Sequence, residues 1–220
     1  MSLEAQRVPL VVLVGAFNSQ ILRDPQWVKK YLFPDSAQQE IPLNYNVAMV
    51  TGELSSSMVI DGSDFRVEPE RIRITPPSPA EPAIAEDVAV RLAGELPHTP
   101  LSAFGVNFQY KETRGKSVLR GNAFLSRMTG MCEADGQLRL ESRVKHEESF
   151  LTFSITEDGA ADGATLLYDF NFHVPMGNAQ YPAMKKLSEK ILEGVVGRFA
   201  AHAEKMARAV SDELSSMEDA

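Results

Sequence analysis

The sequence predicts an α+β fold: a largely antiparallel sheet, a helix near residues 83–95 and a long C-terminal helix packed on one face. Three observations carry this. Residues 41–75 and 104–174 alternate apolar and polar side chains with a period of two, and short turn signals separate the alternating stretches. Gaps that short favour hairpins over crossovers. Ile84, Val88, Leu92 and Leu96 recur at helical spacing, as do Met184, Leu187, Ile191, Val195, Phe199, Met206 and Val210.

Residues 8–14 are rich in Val and Leu and read as a buried strand. Gly15 to Arg23 follows as a connection, with turn chemistry at Asn18 and Ser19, and a loop of this kind is also a candidate binding segment. Asp24–Pro25 is a helix start: Asp24 caps free N–H groups and Pro25 has φ preset for the first turn. Trp27, Val28, Tyr31 and Leu32 then share a face, and Pro34 stops the helix.

Tyr45, Val47 and Met49 alternate with Asn46, Ala48 and Val50. Met58–Ile60 and Phe65–Val67 are joined by a turn at Asp61–Gly62. In the next strand Ile72 and Ile74 point inward and Arg71 and Arg73 outward. Four prolines between Pro76 and Pro82 favour a stiff spacer. The helix after it stops at Pro97. In Phe104–Tyr110 the even positions are large and apolar while Asn107 and Gln109 face away. Further strands are expected over 117–126, 137–146, 149–156 and 164–174. The turns between them fall at Arg114–Gly115, at Asp135–Gly136 and from Asp158–Gly159 to Asp162–Gly163.

The last element is expected to run unbroken over 181–213, a rod of roughly 45–50 Å. Gly194 and Gly197 cost ~1 kcal/mol each inside a helix, which implies close approach to a sheet or another helix. One domain, 8–214, is expected. Val106–Asn107–Phe108–Gln109 echoes Phe170–Asn171–Phe172–His173, so two related halves, 8–75 and 83–214, joined by the spacer 76–82, are the alternative.

Composition narrows the function classes. The 220 residues are 44% hydrophobic, enough for a sizeable core. Net charge is −8, which argues against phosphate-backbone binding, so nucleic acid is not the expected partner. The single cysteine, Cys132, rules out a disulfide framework within the chain and points to the cytoplasm. The longest apolar run, Pro9 to Phe17, is far short of the ~20 residues a membrane helix needs.

No motif supplies a cofactor, metal or catalytic set. His98, His146, His173 and His202 lack zinc spacing, and Asp169, Asn171 and His173 read as the solvated side of a strand. The stretch from Asp158 to Gly163 lacks the alternating ligands of a calcium loop. Ser142 and Lys145 match a Ser-x-x-Lys pattern, but in a strand an offset of three puts them on opposite faces. Cys132 has no adjacent base and reads as a structural thiol.

Two kinds of surface remain. Residues 111–145 carry eight basic residues (Lys111, Arg114, Lys116, Arg120, Arg127, Arg139, Arg143, Lys145) and four acidic ones. That is +4, leaving −12 for the rest of the chain. They form either a solvated sheet face or a basic patch. The second surface comes from length. A rod of 45–50 Å overhangs a five-stranded sheet roughly 20–25 Å wide. Phe199, Met206 and Val210 at the overhanging end then need cover from a second copy or another protein.

The order of elements resembles a known layout. A strand opens the chain, a helix leads into "LSAFGVNFQYKE", and "ATLLYDFNFHV" precedes "KKLSEKILEGVVGRFAAHAEKMARA". This is similar to a family of uncharacterised, sporadically distributed bacterial α+β proteins. Residues 102–213 also resemble helix-grip folds, in which a curved antiparallel sheet wraps a long C-terminal helix. Neither likeness brings a catalytic residue. The expected function is a non-enzymatic binding or assembly protein that self-associates or meets another protein. The alternatives are a helix-grip-like pocket for an apolar small molecule, lined by Phe104, Phe108, Tyr110, Phe170, Phe172, Met184 and Met206, and an enzyme with a dispersed site.

Overall fold

A computed structural model describes residues 2–47, 54–119, 133–134, 137–146, 149–160, 163–176, 184, 187 and 194–218. Its strands are β1 (Glu4–Ala5), β2 (Val11–Gly15), β3 (Leu43–Val47), β4 (Leu54–Ile60), β5 (Ser63–Glu68), β6 (Arg71–Thr75), β7 (Leu101–Arg114), β8 (Glu133–Ala134), β9 (Gln137–His146), β10 (Ser149–Ala160) and β11 (Gly163–Pro175). The helices are α1 (Ser19–Leu22), α2 (Pro25–Leu32), α3 (Pro82–Glu95) and α4 (Val195–Glu218). The strands make an antiparallel sheet in the order β3-β4-β5-β6-β2-β7-β11-β10-β9-β8, with β1 on β7. The fold class is therefore the α+β arrangement that the sequence predicts.

The chain gathers into two compact units. The first holds Met1–Gln6, Phe108–Phe172 and Phe199–Ala220; the second holds Arg7–Asn107 and His173–Arg198. The proline stretch 76–82 lies inside the second unit.

In the second unit β2 runs between β6 and β7, with Val11 opposite both Ile74 and Val106. One face of this sheet is dry: Val11, Leu13, Met58, Ile60, Phe65, Val67, Ile72, Ile74, Phe104 and Val106 are fully buried. Leu22, Val28, Leu32, Val88 and Leu92, also buried, line the helices of this unit. Asp24 caps α2 as its sequence implies, its Oδ1 accepting from the Gln26 N–H at 2.9 Å, with Pro25 in the first turn. Asp61 (φ 48°) and Gly62 (φ 81°) make the β4–β5 turn. Both residues have the positive φ that a two-residue hairpin matched to strand twist requires. Gly15 answers to packing: a Cβ there would meet the Pro100 carbonyl oxygen at 2.2 Å. On α3 the buried stripe is Ala85, Val88, Ala89, Leu92 and Ala93, so Ile84 is only half-buried.

In the first unit β9 and β10 form a long hairpin in which Arg143 faces Thr152 and Leu138 faces Glu157. Strand β10 runs on through Asp158–Gly159 to Ala160, so the first part of the turn expected from Asp158–Gly159 to Asp162–Gly163 is strand instead. Along β11 the alternation is strict: Leu166, Tyr168, Phe170 and Phe172 are buried, while Asp169 and Asn171 face away. Asp169 Oδ1 accepts from Gln109 Nε2 at 2.6 Å.

The expected single rod over 181–213 is corrected. Gly194 has φ 71°, outside helical geometry, and α4 begins at the next residue. Its 24 residues span about 36 Å. Gly197 is exposed with nothing within 4 Å of a built Cβ, so close approach does not explain it. Met184 and Leu187 are helical and buried. Met49, residues 120–126, Arg127, Cys132, the Asp135–Gly136 turn and Ile191 lie outside the described residues. Among the described residues no helix is long and apolar enough to cross a membrane.

Candidate functional site

Strand alternation that buries one face of the second unit's sheet presents the other face to solvent. Here β5 contributes Asp64, Arg66 and Glu68, and β6 contributes Arg71 and Arg73. The pairing register sets Arg66 directly opposite Arg73. Carboxylates flank the two: Asp64 lies 3.6 Å from Arg66, and Glu68 lies 3.2 Å from Arg73 and 4.0 Å from Arg71. Two grooves lie here. One, of about 460 Å³, is lined by Val14, Asn46, Ser55, Glu68, Glu70 and Arg71. The other, of about 280 Å³, is lined by Arg7, Pro9, Asp64, Arg66, Arg73 and Thr75.

The outer strand β3 has a different chemistry. Its register with β4 pairs Leu43 with Met58, Tyr45 with Ser56 and Val47 with Leu54. Directly opposite residues share a face, so these three point to the side on which Met58 and Ile60 are buried. Yet Tyr45 is 58% exposed and Val47 53%. Residues 41–47 carry no charge. Among the described residues no strand pairs with the outer edge of β3. The usual protections of an edge, a lysine, an internal proline or a bulge, are missing from Leu43–Val47.

The first unit holds a buried polar clasp. Glu112 on β7 accepts the Tyr168 hydroxyl at 2.6 Å, the Ser211 hydroxyl at 3.0 Å and an Arg114 guanidinium N–H at 3.1 Å. Arg114 also donates to the Ser211 carbonyl at 2.8 Å. Burial, reinforced by the Glu112 hydrogen bond and charge, raises the Tyr168 phenol well above its ordinary value. Nearby, burial and then the Glu204 carboxylate push Tyr110 up to about 12, against the opposing pull of Arg208. A second buried carboxylate, Glu157, accepts from the Ser117 hydroxyl at 2.5 Å and from the N–H groups of Val118 and Leu119 at 2.9 and 2.8 Å. These carboxylates hold the fold: each spends its lone pairs on fixed donors and neither is open to a substrate.

The sequence-predicted residues divide accordingly. Arg114 is corrected out of any surface patch: it is 2% exposed, because its guanidinium pairs with Glu112 inside the unit. Lys111 is half-buried on β7 and Lys116 exposed. Arg139, Arg143 and Lys145 are exposed on β9, where Arg139 pairs with Glu141 at 2.8 Å and Arg143 lies over the Phe150 ring. Arg120 lies outside the described residues. Phe199 is also corrected: it is 2% exposed, stacked on Phe172, and offers no surface. Met206 and Val210 are half-buried. Among the described residues no group of three or more His, Cys, Asp or Glu side chains could hold a metal ion.

The β3 edge and the Arg66–Arg73 pair escaped the sequence reading. Each strand's alternation was legible, but which strand ends the sheet, and which arginines the register opposes, depends on pairings far apart in sequence. Comparison with protein-family models, with curated proteins and with solved structures finds no match for this chain.

Proposed function

We propose that this chain is a non-enzymatic binding and assembly protein that self-associates through the free edge of β3. One observation carries the reading: Tyr45 and Val47 continue the apolar face of the sheet beyond the buried residues, on an uncharged edge that no strand among the described residues pairs. A second copy is the occupant that charge favours. With −8 on each chain, most surfaces repel their own kind, and the contact belongs where no charge is present. The edge is also self-complementary. Two β3 strands, antiparallel about Tyr45, oppose Tyr45 to Tyr45 and Leu43 to Val47, so one patch meets itself across a two-fold axis.

The pocket alternative has less support. Phe172 packs between Phe108 and Phe199, and Phe170 stacks on Phe153, so these rings fill space that an apolar ligand would need between sheet and α4. The likeness to the sporadically distributed bacterial family, and over residues 102–213 to helix-grip folds, belongs to the same reading, as does a cytoplasmic location inferred from the single cysteine. Sedimentation of the wild type and of Tyr45→Lys tests the proposal. Association of the first and its loss in the second are expected.

A further inference from the structure

We propose that the smaller groove on the open face of the second unit's sheet binds a small oxyanion, a phosphoryl or hydroxydicarboxylate group, through Arg7, Arg66 and Arg73. Like charges placed directly across a ladder destabilise it, yet Arg66 and Arg73 stand opposite each other. Arg7 enters from outside the ladder. Its Nε donates to the Pro76 carbonyl at 2.8 Å and its Nη2 to that of Gly62 at 2.5 Å. Carbonyl oxygens orient a guanidinium without neutralising its charge. Three cations and one carboxylate, Asp64, therefore line the groove, and Glu68 pairs with Arg73 from the neighbouring groove, a local balance of +1 in a chain of −8.

The local ion pairs leave capacity unused. Glu68 accepts from Arg73 Nη2 at 3.3 Å, while Arg73 Nε, 3.2 Å from the other Glu68 oxygen, makes no aligned hydrogen bond. Asp64 touches Arg66 at 3.6 Å through Oδ2, while its Oδ1 is buried with no hydrogen-bond partner. The groove thus offers the guanidinium N–H groups of Arg7, Arg66 and Arg73 as donors suited to an oxyanion and, in the Asp64 carboxylate, an acceptor suited to an O–H beside it. Monohydrogen phosphate and a hydroxydicarboxylate have both. Guanidinium forks match the paired oxygens of either group. A volume of about 280 Å³ leaves room for such an anion.

Calorimetric titration of the full chain with inorganic phosphate and, separately, with malate tests this, with chloride at matched ionic strength as the reference. Saturable binding of one anion per chain is expected for at least one of the two, and the pattern tells phosphoryl from carboxylate recognition. Arg73→Gln and Arg66→Gln should each weaken it about tenfold or more. Arg71→Gln, on the neighbouring groove, should change it little. A melting curve guards the interpretation: Arg66→Gln relieves the like-charge pair and should melt no lower than the wild type. Absence of saturable binding by both anions, or binding that survives Arg73→Gln unchanged, would overturn the proposal.

Discussion

The rings of Phe172 on β11 and Phe199 on α4 stack with centroids 4.2 Å apart and planes 9° from parallel. His146 and His202 close over the pair, their own rings 4.2 Å apart. This stack fastens α4 to the sheet of the first unit. Phe199→Ala should cost ~3–5 kcal/mol, the range for emptying a buried aromatic site. Denaturant unfolding reads it directly. Sedimentation of the same variant, under conditions where it stays folded, should match the wild type, because Phe199 is a core residue and not an interface.

Removing Glu112 should be among the most damaging single changes in the first unit. Glu112→Ala leaves the Arg114 guanidinium buried without its countercharge, at a cost of ~3–5 kcal/mol. Tyr168→Phe removes one hydrogen bond and should cost about 1–3 kcal/mol. Equal losses from the two variants would mean that the charge pair is not what holds the clasp.

The raised phenols set an alkaline limit. A group whose folded pKa lies above its unfolded one keeps its stabilising effect below the unfolded value and loses it as pH rises through the folded value. For Tyr110 the window runs from about 10 to about 12, and Tyr168 extends it upward. Stability should therefore fall steadily above pH 10, and Tyr110→Phe should flatten the first part of that fall. Ultraviolet titration of the phenolates, run beside unfolding curves, checks both. Tyrosines that titrate as free phenols would refute it.

At the start of α2, Asp24→Ala should lower stability by ~1 kcal/mol through loss of the cap on the Gln26 N–H. An unfolding midpoint unchanged within error would show that the cap contributes nothing.

Local signals in this chain were legible where chemistry is local. Asp24–Pro25, the Asp61–Gly62 turn, the outward Arg71 and Arg73, and the alternation of Tyr168, Phe170 and Phe172 all follow from neighbours in sequence. The helix over 181–213 misled because apolar spacing continues across Gly194, and only the backbone at φ 71° reveals the break. Arg114 misled for another reason. Its charge counted toward a basic segment, while its partner Ser211 lies 97 residues away in sequence and its countercharge Glu112, two residues away, is buried and held by Tyr168 from another strand. The exposed edge of β3 was out of reach because Tyr45 and Val47 have the pattern of a core strand. Nothing in their own segment says that the sheet ends there.

Self-association through β3 is tested most directly by sedimentation of the wild type and Tyr45→Lys over a range of concentrations, beside a melting curve for each. Tyr45 is mostly exposed within its own chain, so the substitution should leave the melting midpoint of the monomer near that of the wild type. It should also place two lysines opposite each other wherever the edges meet. A wild type that associates as concentration rises, and a folded variant that stays monomeric, is the predicted result. A wild type that remains monomeric throughout, or a variant that associates as strongly as the wild type, would contradict assembly at this edge.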